Sequence, residues 1–129
     1  MAHILIVDDE VSITKMVEQL LAIQGHQVVC ATNGIEALKI LGCQAIDLVI
    51  TDIVMPEMDG YELIMELRKR PDSPKIIAMS GGAVGQYSTE LLHTALLMKA
   101  DKILLKPFDS VSMNDAIGEV LGGGNPYVI

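Results

Sequence analysis

The chain has 129 residues, half of them apolar and only 3% aromatic, which is the size of one domain with an aliphatic core. Its formal charge of −8 has the wrong sign for a sequence-independent grip on nucleic-acid phosphates or anionic lipid, which argues against direct nucleic-acid binding. No apolar stretch reaches the roughly 18 residues of a membrane helix, and Met1-Ala2-His3 lacks the basic segment and cleavage site of a signal peptide, so a cytoplasmic protein without membrane insertion is expected.

Ile4-Leu5-Ile6-Val7 reads as a strand ending at Asp8-Asp9. Ile13, Val17, Leu20 and Leu21 then fall at helical spacing, predicting a helix from about Glu10 to Gln24 with Gly25 at its left-handed terminus. Gln27 to Ala31 is β-branched enough for a strand, and Asn33 is placed to cap a helix carrying Ile35, Leu38 and Leu41 that Gly42 closes. Leu48-Val49-Ile50-Thr51 leads to Asp52; Met55-Pro56 forces a loop, and Asp59-Gly60-Tyr61-Glu62 opens a helix with Leu63, Ile64 and Leu67. Pro71 and Pro74 bracket the next loop, before Ile76-Ile77-Ala78-Met79 runs into Ser80. Ser88 or Thr89 can start a helix with Leu91, Leu92, Ala95 and Leu96. A fifth strand spans about Lys102 to Leu105, before Lys106-Pro107, and Asp109 caps a last helix through Val120. The expected domain is 1–121, with the glycine-rich 122–129 as a flexible tail.

Five repeats of strand then helix, with strands that read as continuous apolar runs, imply an α/β fold: a parallel sheet covered on both faces by right-handed crossovers. Ligand sites in such sheets lie beyond the carboxyl ends of the strands. Asp8, Asp9, Asp52, Ser80 and Lys106 therefore converge on one sheet edge, a set suited to a divalent cation and a phosphoryl group. Taken singly, each has a plainer reading. Asp8-Asp9 can be a helix cap beside a solvated acid, Asp52 a turn residue, Ser80 a loop residue, and Lys106 a loop lysine before a helix-blocking proline. Taken together, the plainer readings need four coincidences.

The chain resembles the receiver domains of two-component response regulators, close in layout to the stand-alone chemotaxis type, over about residues 3 to 121. The resemblance is carried by Val7-Asp8-Asp9-Glu10, Thr51-Asp52-Ile53-Val54-Met55-Pro56 with Met58-Asp59-Gly60, Met79-Ser80-Gly81, and Lys106-Pro107-Phe108. It implies a flavodoxin-like five-stranded sheet in the order 2-1-3-4-5. It also implies a phosphoacceptor signalling protein that catalyses only its own phosphorylation and dephosphorylation. Asp52 would be the nucleophile, with Mg²⁺ held by Asp8, Asp9, Asp52 and the Val54 backbone carbonyl.

A carboxylate that attacks an anionic donor needs nearby cations to offset the repulsion, and Mg²⁺ prefers hard oxygen ligands. Lys106 would supply a mobile charge for Asp52 and then for a phosphoryl oxygen, and Ser80 a hydrogen bond to another. By resemblance, the Ser80 hydroxyl moves inward on phosphorylation, and the peptide bond before Pro107 is cis. The implied partners are a sensor histidine kinase or histidine phosphotransfer protein, docking on the helix after Asp9, and a downstream protein target on the face formed by the helix after Ser80, the fifth strand and the last helix. A monomer or a phosphorylation-dependent dimer is expected, with readout through a partner rather than an attached output domain.

Several positions depart from the family pattern. Ile103 stands where many receivers carry an aromatic, Lys99 where glycine is common, and Gly81 to Tyr87 lengthens the connection after Ser80; Tyr87 is more simply a surface tyrosine than a substitute aromatic. Val54 and Gly82 offer no side chain to orient an attacking water, which predicts a slowly hydrolysing aspartyl phosphate. Val54 also counts against a haloacid-dehalogenase-type phosphatase, which needs a second acid there, and the intact acidic set counts against a binding-only pseudo-receiver. His3, His26 and His93 keep no ligand-like spacing and read as structural or solvent-facing, and Cys30 and Cys43 as small buried hydrophobes.

Overall fold

The structure is a computed structural model that describes residues 2–53, 58, 60–80 and 100–122. Its elements are β1 (His3–Val7), α1 (Val11–Ile23), β2 (Gln27–Ala31), α2 (Gly34–Leu41), β3 (Leu48–Asp52), α3 (Gly60–Arg68), β4 (Lys75–Ser80), β5 (Lys102–Leu105) and α4 (Ser110–Leu121). The helix expected after Ser88, together with Tyr87, His93, Lys99 and residues 123–129, lies outside the described residues. The strands form one sheet in the order β2-β1-β3-β4-β5, every neighbouring pair parallel. No described helix is long and apolar enough to cross a membrane.

Side chains alternate along a strand, so each apolar run serves two cores. Ile4, Ile6, Leu48, Ile50, Ile77 and Met79 face one way, against Val17 and Leu21 of α1 and Met113 and Ile117 of α4. Leu5, Val7, Val49, Ile76 and Ala78 face the other way, against Ala37 of α2 and Leu63, Ile64 and Leu67 of α3. Burying each of the larger side chains contributes roughly 2 kcal/mol, which makes the sheet the rigid part that aims its own ends.

The helix ends form as their residues dictate. Gly25 has φ 92°; its N–H donates to Ala22 O and that of His26 to Leu21 O, the paired bonds of a Schellman closure. Asn33 accepts from Glu36 N, and Asp109 from Ser112 N, as N-caps. One expectation needs correction. Cys43 is exposed and Cys30 only half-buried, because Cys43 lies in the turn beyond α2 and Cys30 on the edge strand β2. Of the histidines, His26 is structural: its Nδ1 accepts from Ala2 N.

Candidate functional site

At the carboxyl edge of the sheet, β1 releases its chain into Asp8 and β3 ends at Asp52, two strands apart from β5 and Lys106 across β4. Asp8 is fully buried and Asp52 7% exposed, whereas Asp9 faces solvent. One carboxylate oxygen from each of the three lies within 4.8 Å of the others. The Lys106 Nζ donates to Asp8 Oδ2 at 2.7 Å and to Asp52 Oδ2 at 3.2 Å, with Glu10 Oε1 at 3.8 Å. Four of the residues singled out in the sequence, separated by up to 98 positions, thus meet in one pocket.

Local bonds aim each group. Asp8 N donates to Ala31 O, and its Oδ1 accepts from Glu10 N at 2.9 Å, leaving Oδ2 for Lys106. Parallel pairing sets Asp52 opposite Met79, and the buried Thr51 hydroxyl donates to the Asp52 carbonyl at 2.9 Å. Gly60 closes the following loop: its N–H donates to Ile53 O, and a Cβ there would collide with the Asp52 carbonyl oxygen. The Lys106-Pro107 bond is cis, as the resemblance implied. Ser80 ends β4 opposite Leu105; its side chain, like the Val54 carbonyl, lies outside the described parts.

Burial pulls the Lys106 ammonium toward its neutral form. The Asp8 hydrogen bond and the charges of Asp52 and Asp8 outweigh that effect and hold its pKa above the ordinary lysine value. Among the described residues, one ammonium stands against three clustered carboxylates, which leaves the pocket acidic, and the clustered donor atoms are hard oxygens. That set fits a small divalent cation such as Mg²⁺ and fits soft metals poorly. Glu10 is the residue that sequence reasoning passed over. It sits at the α1 N-cap without bonding through its own side chain there, and its carboxylate turns toward Lys106. The only sequence signal was its place directly after the acid pair.

An open parallel sheet with an acidic, lysine-bearing pocket at its carboxyl edge defines the class, and similarity to known proteins agrees. Residues 4–118 match the response regulator receiver domain model, and the chain belongs to that family. It is 39% identical over 119 residues to a probable transcriptional regulator ycf27 of Cyanidium caldarium, covering 92% of this chain and 46% of that protein. With the transcriptional regulatory protein GlrR of Escherichia coli K12 the identity is 34%, covering 97% and 27%. The chain therefore spans less than half the length of these relatives. The receiver domain of a histidine kinase from Syntrophus aciditrophicus superposes with a TM-score of 0.85 at 29% identity, covering 98% of this chain and 94% of that one. Chemotaxis protein CheY4 of Vibrio cholerae does so with 0.81 at 29%, covering 93% and 98%.

Proposed function

We propose that this receiver accepts a phosphoryl group on Asp52 from a phosphohistidine and signals through altered protein binding. The observation that carries the reading is the Lys106 ammonium bridging Asp8 and Asp52 within an acidic pocket. An Asp52 carboxylate oxygen attacks phosphorus, the P–N bond breaks, and the imidazole leaves with its electron pair and takes up a proton. The product is an acyl phosphate on Asp52. Asp8, Asp9, Asp52 and the Val54 carbonyl would hold Mg²⁺, which supplies charge neutralisation for the transferring oxygens. Lys106 then passes from the carboxylates to a phosphoryl oxygen, and Ser80 donates to another. The reading extends to a single domain over 1–121 that acts in the cytoplasm and is no enzyme toward other substrates.

The phosphodonor protein docks beside the pocket. Met16, Leu20 and Ile23 of α1 line a groove of about 310 Å³ with Phe108, two residues beyond Lys106, and Ile23 is 85% exposed. An apolar groove on the helix that follows Asp9 suits a helical donor that must bring its histidine to Asp52. Where the same sequence is part of a longer chain, as in relatives described as transcriptional regulators, the acyl phosphate would act on an output domain instead.

The test is intact-mass measurement after incubation with Mg²⁺ and a small acyl phosphate donor. One added phosphoryl group in the wild type, lost in Asp52→Asn and in chelator, is the expected result. Equal labelling of Asp52→Asn would overturn the assignment.

A further inference from the structure

We infer that Gly34, the first residue of α2, is a positioning residue for the acidic pocket, because its bare Cα lets α2 hold the loop that leaves Asp52. The inference rests on the cation-binding reading above and adds to it a residue that touches none of the reacting atoms.

Gly34 N donates to the Met58 carbonyl at 3.0 Å. A Cβ at position 34 would lie 2.6 Å from Met58 Cγ, 2.9 Å from its Cβ and 2.8 Å from its carbonyl oxygen. The end of a methionine side chain can swing away, but the carbonyl cannot move without carrying the loop backbone with it and stretching the hydrogen bond it accepts. Conformation does not explain the glycine, for Gly25 alone among the described glycines has positive φ. Helix propensity does not explain it either, since alanine is the better helix former. Space is what remains.

The element behind Gly34 is itself braced against the pocket. Asp8 N donates to Ala31 O, so the turn from β2 into α2 holds the acidic end of β1. Glu36 accepts from Thr32 N at 3.0 Å and from the Thr32 hydroxyl at 2.9 Å, while Asn33 accepts from Glu36 N at 2.9 Å. Gly60 N donates to Ile53 O and Gly34 N to Met58 O, so α2 holds Met58, close in sequence to Asp52. One short turn thus fixes Asp8 on one side and the chain following Asp52 on the other. Groups that hold metal ligands in place commonly change metal affinity by about ten- to a hundredfold when they are altered.

The test measures Mg²⁺ affinity calorimetrically, alongside thermal unfolding in chelator, for the wild type, Gly34→Ala and Gly118→Ala. A Cβ at Gly118 meets nothing within 4 Å, so that variant controls for replacing a helical glycine. Gly34→Ala is expected to weaken Mg²⁺ binding at least about tenfold, with Gly118→Ala unchanged. Should Gly34→Ala fold poorly, the measurement is made with both substitutions together, Gly118→Ala restoring helix stability. ¹³C-methyl spectra supply the second readout: the Met58 signal should move in metal-free Gly34→Ala and stay in place in Gly118→Ala. Wild-type affinity in Gly34→Ala, or a lowered melting temperature with unchanged affinity, overturns the inference. A wild type that binds no Mg²⁺ overturns the cation reading itself, and so separates the two failures.

Discussion

The two edges of the sheet carry the same side-chain types and use them oppositely. At the amino edge Asp101 and Asp47 are each matched by donors. Asp101 Oδ2 accepts from Ile76 N at 2.7 Å and from Arg68 Nη2 at 2.8 Å, Arg68 also reaches Pro74 O, and Asp47 Oδ2 accepts from His3 N. These bonds tie α3, β4, β5 and β1 together where no chemistry is needed. At the carboxyl edge Lys106 bridges Asp8 and Asp52, and Asp9 clusters with the two without reaching the lysine among the described contacts. A matched acid contributes to the fold, whereas a surplus acid destabilises it until a cation arrives, an arrangement the proposed phosphoryl acceptor would use.

Removing Lys106, the cation that the described residues place in the pocket, should produce the largest effect. Lys106→Met leaves the buried Asp8 carboxylate without its ammonium and should cost about 3 kcal/mol in metal-free buffer by denaturant unfolding. Added Mg²⁺ should then recover more stability in this variant than in the wild type, because the metal no longer competes with an ammonium. At the opposite edge, Asp101→Ala strands the Ile76 N–H and takes the carboxylate partner from Arg68 Nη2. It should cost about 2 kcal/mol while leaving Mg²⁺ affinity unchanged. An altered affinity there would break the division between the edges.

The smallest effect concerns acids that sit at the functional edge yet are matched locally. Glu36 and Asp109 are held below the ordinary carboxylate range, Glu36 by Thr32 and Asp109 by the Ser112 N–H. A depressed folded-state pKa means that the unfolded chain binds more protons across that interval. Their contribution is therefore complete above the ordinary carboxylate pKa and is lost as pH falls through the folded value. Asp109→Asn keeps a cap without a titrating group, so its stability should fall less steeply than the wild type's on acidification. Melting temperatures between pH 6 and 3 would show it.

Much of this was legible in the sequence, because the signals were local. The caps at Asn33 and Asp109, the turn at Gly25 and the limits of β2 and β5 follow from neighbouring residues. The pocket was legible for a different reason: parallel strands deliver their ends to one edge, so Asp8, Asp52 and Lys106 had to meet. What escaped depends on approach between distant segments. The pairing of Arg68 with Asp101 is set by the β4–β5 register, and the nearness of Gly34 to Met58 by the crossover that seats α2. Cys43 was misplaced because small apolar residues are buried on average, and the turn after α2 overrides that average.

Among the described residues, the carboxyl edge holds more negative charge than Lys106 balances. Unfolding of metal-free protein across a Mg²⁺ titration measures it directly. The wild type should gain about 2.7 kcal/mol at a concentration one hundred times the dissociation constant, and Asp8→Asn much less. A wild-type stability that does not change with Mg²⁺, or an equal gain in Asp8→Asn, would contradict it.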